Sequence, residues 1–104
     1  MITWTTAPLA DGATLHAANL GDYRIEIIEQ VHGVKWYAFK RVPPPDVRVV
    51  EFARHVALDL TVAQRAAVDA VMDDIMGETR RLTALLIETL TATEEQPHGT
   101  QADL

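Results

Sequence analysis

Four histidines, His16, His32, His55 and His98, are the side chains best suited to proton transfer near neutral pH. Their spacing forms no HExxH pair and no other dense ligand pattern, so a zinc site is not expected. His55 and Asp59 stand four positions apart and would face one another on a helix, with the Thr61 hydroxyl nearby. A histidine–carboxylate pair alone is not a hydrolase, because nucleophile and oxyanion donors must also converge. Thr61 is better explained as a helix cap. The chain has no cysteine, which removes thiol catalysis, disulfides and thiolate metal sites together. No glycine-rich phosphate loop occurs. These absences predict a non-enzymatic protein with no metal or other cofactor.

Carboxylates are the second candidate group. Asp69, Asp73, Asp74 and Glu78 cluster in sequence and carry oxygen ligands suited to a divalent cation. A helix would spread them along its surface instead of gathering them around an ion, so a solvated acidic face is expected. The chain has 9 basic and 15 acidic residues, a formal charge of -6. The imbalance lies wholly in residues 55–104, where Arg65, Arg80 and Arg81 oppose nine carboxylates. Such a field repels nucleic-acid phosphates and favours a basic protein partner. We therefore read Asp69, Asp73, Asp74 and Glu78 as a candidate protein-binding surface. Lys35, Lys40, Arg41, Arg48 and Arg54 fall near Trp36, Tyr37 and Phe39, which leaves a single-strand platform as an alternative. Glu26, Glu29 and Glu51 in the same region disfavour direct nucleic-acid binding.

The elements that must position these groups are legible in the periodicity. Tyr23-Arg24-Ile25-Glu26-Ile27 alternates, placing Tyr23, Ile25 and Ile27 on one strand face and the charges on the other. Val34 to Lys40 alternates likewise, with Val34, Trp36 and Ala38 opposite Lys35, Tyr37 and Phe39. Gln30-Val31-His32-Gly33 joins the two as a hairpin. Thr14–Ala18 predicts a short strand. Asp46–Phe52 predicts another of ambiguous register, which His55–Leu58 either extends or follows. Pro43-Pro44-Pro45 forms a rigid connection, since proline removes backbone donors and fixes φ.

Thr61 with Gln64 forms a capping box at the start of a helix rich in alanine. Val68, Val71, Met72 and Ile75 continue it as an apolar stripe. Beyond Gly77 the stripe resumes through Leu82, Leu85, Leu86 and Leu90, so the helix extends to about Leu90, either unbroken or bent or broken near Gly77. These four leucines need cover, and self-association through them, giving a homodimer, is expected. The fold class expected is α+β: a small antiparallel sheet of three to four strands packed against a long C-terminal helix. Residues 1–90 form one domain and 91–104 a disordered tail. No 20-residue apolar span and no secretory leader occur, so a cytoplasmic, non-membrane protein is the expectation.

Trp4, the Tyr23-Arg24-Ile25 strand, Trp36 and the alanine-rich Ala63–Ala70 segment follow one another in an order that resembles small hypothetical proteins of phages and prophages. The likeness covers about residues 4–76. Pro43–Pro45 and the long acidic helix depart from it. Such proteins include inhibitors of bacterial defence, among them anti-CRISPR proteins, which tend to be small, acidic and non-enzymatic. The resemblance therefore implies an inhibitor of a nucleic-acid-binding defence protein, or else a small structural or assembly protein of phage origin. It carries no functional residue onto this chain.

Overall fold

A computed structural model describes residues 2–95. Five strands form one antiparallel meander in sequence order: β1 (Thr5–Pro8), β2 (Thr14–Leu20), β3 (Tyr23–Gln30), β4 (Gly33–Val42) and β5 (Arg48–Ala57). A short 3₁₀ turn, Ala10–Gly12, joins β1 to β2. One helix follows, α1 (Leu60–Glu95). The α+β class holds, with five strands where three to four were expected. The additional strand is β1, whose four residues are all exposed and show no alternation.

Two compact units divide the chain, Met1–Met72 and Asp73–Leu104. The first holds the sheet and the opening turns of α1. Its core is the β3–β4 pair, Ile25 against Ala38 and Ile27 against Trp36, under Ala63, Ala67 and Val71 of the helix. Ile25, Ile27, Ala38, Ala63 and Ala67 are fully buried. Alanine at 63 and 67 leaves no side chain beyond Cβ, which lets the helix lie close to the sheet while Trp36 and the two isoleucines supply the apolar volume.

β4 and β5 shift register once. Ala38 pairs with Ala53 and Phe39 with Glu51, leaving Phe52 as the additional residue of a bulge. Phe52 packs against the core, edge-on to Tyr23 at 5.7 Å, with the Lys40 ammonium 5.6 Å from its centroid. Val49 and Val50 precede the bulge and take opposite faces by simple alternation. Residues 48–57 form one strand through the bulge, so 55–57 extend it.

The helix begins differently from its capping-box prediction. Asp59 Oδ1 accepts the Val62 N–H at 2.9 Å, so Asp59 is the cap and Thr61 lies in the first turn. Of the alternatives at Gly77, the unbroken helix is the one observed: α1 runs through it and covers Thr91 to Glu95. The rest of the predicted tail, including His98, lies outside the described residues. In the second unit, every side chain from Asp73 to Thr93 is exposed except the half-buried Asp74.

Candidate functional site

The sheet face opposite the core presents a compact group of polar and aromatic side chains. Strand alternation brings Arg24 and Glu26 of β3, Lys35, Tyr37 and Phe39 of β4, and Glu51 and Arg54 of β5 to this side. Tyr37 and Phe39, two residues apart on one strand, stack at 6.5 Å with their rings 23° from parallel. The Arg54 guanidinium lies 5.5 Å from the Tyr37 centroid, within cation–π reach. Arg54 Nε donates to Glu51 Oε2 at 2.6 Å. That hydrogen bond, and then the charge of Glu51, raise the guanidinium's pKa further above its ordinary value. Arg24 Nε donates to Glu26 Oε2 at 2.8 Å. A depression of about 300 Å³ borders the group, lined by Lys35, Tyr37, Arg54, His55 and Val56.

Trp36 does not belong to this platform, because it points into the core. Sequence alternation places Trp36 and Phe39 on opposite faces. The helix-covered face is the one that takes Trp36, which leaves Tyr37 and Phe39 on the open side.

A second polar group stands on the core-side face near β1. His16 is 9% exposed, its Nε2 2.9 Å from Glu29 Oε1 and its Nδ1 3.4 Å from Thr6 Oγ1. The order hydroxyl–imidazole–carboxylate superficially matches a nucleophile relay. The 3.4 Å contact is long for a hydroxyl activated by its base. Thr6 pairs directly with His16, and Glu29, paired with Thr14, reaches His16 diagonally. The network satisfies a largely buried imidazole and locks three strands in register. His55 and Asp59 do not meet as a helical pair: His55 is on β5, its ring 6.2 Å from Trp36, and Asp59 caps α1.

The acidic quartet is unequal. Asp69 is exposed in the first unit. In the second unit Asp73 is exposed and Asp74 half-buried, while Glu78 forks onto Arg81 with contacts of 2.7 and 3.2 Å. The hydrogen bond and charge of Glu78 raise the Arg81 pKa above its ordinary value. One member of the expected surface is thus already neutralised by the chain's own arginine. Among the described residues, no three His, Asp or Glu side chains converge as a metal site, and no helix is long and apolar enough to cross a membrane. Leu82, Leu85, Leu86 and Leu90 are all on the exposed part of α1, between 50% and 58% accessible.

Comparison of the chain with family models, curated proteins and solved structures finds no match.

Proposed function

We propose that this protein is a non-catalytic binding module that captures a basic protein partner. The observation that carries this reading is the helical segment Asp73–Thr93, which presents its carboxylates and large apolar side chains to solvent together. Ile75, Met76, Leu82, Leu85, Leu86, Ile87 and Leu90 are each 44–59% exposed. An isolated helix of this length is marginal in water, so a stretch this apolar is stabilised by a surface that covers it. The negative field of residues 55–104 selects a positively charged partner and steers its approach. The likeness to phage proteins extends the proposal to inhibition: the partner is a nucleic-acid-binding defence protein, in a cytoplasmic setting, whose phosphate site the carboxylates occupy. Affinity capture from a bacterial lysate by the wild-type chain, and by Asp69→Lys and Asp73→Lys singly, tests it. The expected result is basic proteins bound by the wild type and depleted from each variant. Identical capture by all three overturns the acidic surface.

A second reading is favoured by the Tyr37–Phe39 stack. Paired aromatic rings beside Arg54 and Lys35 form a platform on which unpaired bases can stack. Fluorescence anisotropy with a labelled oligothymidine tests it: binding that Tyr37→Ala and Phe39→Ala both weaken supports this reading, and no binding at low salt removes it.

A further inference from the structure

We propose that the exposed stripe of α1 is covered by a second copy of this chain, running antiparallel, with the two-fold axis at Leu86. This deepens the binding-module reading and rests on it.

The residues on and beside the stripe repeat in mirror order around Leu86, while Ala84/Glu88, Arg81/Thr91 and Arg80/Ala92, on the far side of the helix, do not. Leu82 and Leu90 lie four positions to either side, Thr83 and Thr89 three, Leu85 and Ile87 one, and Thr79 and Thr93 seven. An antiparallel pair related by two-fold symmetry sets each position against its mirror position, so a surface that meets itself must carry matching residues at matching distances. Leu82 then packs on Leu90 of the second copy, Leu86 on Leu86, and Thr79 on Thr93. At 100° per residue, Thr79, Leu82, Leu86, Leu90 and Thr93 fall within a sector of about 80°, so they share one side of the helix.

The threonines at the two ends of the stripe are prepared for an apolar contact in the same way. Thr79 Oγ1 donates to Ile75 O and Thr93 Oγ1 to Thr89 O, both at 2.9 Å. Each hydroxyl is satisfied within its own helix, which leaves the methyl group to pack.

The absence of cysteine makes the geometry directly readable. In the full chain, Leu86→Cys is expected to form a disulfide-linked dimer under mild oxidation. Leu82→Cys alone is expected to remain uncrosslinked, whereas an equimolar mixture of Leu82→Cys and Leu90→Cys is expected to form the mixed dimer. Light scattering of the wild type is expected to give twice the chain mass of 11.5 kDa. Efficient self-crosslinking of both Leu82→Cys and Leu90→Cys shows a parallel pair and overturns the proposal, as does a monomer at millimolar concentration. A monomer that still captures basic proteins removes the second copy while leaving the binding-module reading intact.

Discussion

His16 Nε2 lies 2.9 Å from Glu29 Oε1, across the ladder that joins β2 to β3. The imidazole is almost wholly covered, and this carboxylate is its closest partner. Removing the carboxylate leaves a largely buried ring nitrogen without it, a situation that costs more than the bond itself is worth. Glu29→Ala is expected to lower stability by about 1 to 2 kcal/mol, measured by urea denaturation followed through tryptophan fluorescence. A cost under a few tenths of a kcal/mol would mean that the contact does no more than an ordinary exposed pair.

Asp59 and Thr61 compete in sequence for one role, and only Asp59 Oδ1 holds a helical amide. Asp59→Ala should therefore destabilise the fold by about 1 kcal/mol, and Thr61→Ala by only a few tenths. Equal losses in thermal denaturation would contradict the cap.

Ala67 is fully buried beneath the β3–β4 pair. Leucine there must force the helix off the sheet or push Trp36 from its place. Ala67→Leu is expected to cost about 1 to 3 kcal/mol and to alter the tryptophan emission maximum. Retained stability with an unchanged spectrum would show the packing to be looser than described.

Gly77 lies within α1, and a methyl group built on it meets nothing within 4 Å. Alanine removes the entropic cost of glycine without a clash. Gly77→Ala is expected to raise helix stability by up to about 1 kcal/mol, seen as a higher melting temperature by circular dichroism. A lowered melting temperature would indicate that the backbone bends at this position.

Most of the architecture could be read from residue order. The alternation of Tyr23–Ile27 and Val34–Lys40 placed the central hairpin and identified its apolar sides, because a period of two leaves little freedom once one face is buried. β1 escaped because Thr5-Thr6-Ala7-Pro8 has neither alternation nor bulk; its place is set by pairing with β2. The register of β5 was hidden by Phe52, since a bulge changes face within an otherwise alternating run. The cap was misplaced because Thr61 and Gln64 satisfy a pattern that Asp59 satisfies in space. For the candidate surfaces, the exposed leucines followed from helical spacing alone. The Glu78–Arg81 bond follows from their i,i+3 spacing as well; the half-buried standing of Asp74 does not. The Tyr37–Phe39 platform required knowing which side the helix covers.

The bulge at Phe52 has a consequence for the outer rim of the meander. β5 is the last strand and runs for ten residues, a length that would ordinarily invite a neighbouring molecule to add its own strand. An inserted residue interrupts the regular spacing of the free amides and carbonyls along that rim and increases the local twist. Arg48, Arg54 and His55 line the same margin with bulky polar groups. Edge-to-edge addition of a further strand at this border is thereby discouraged.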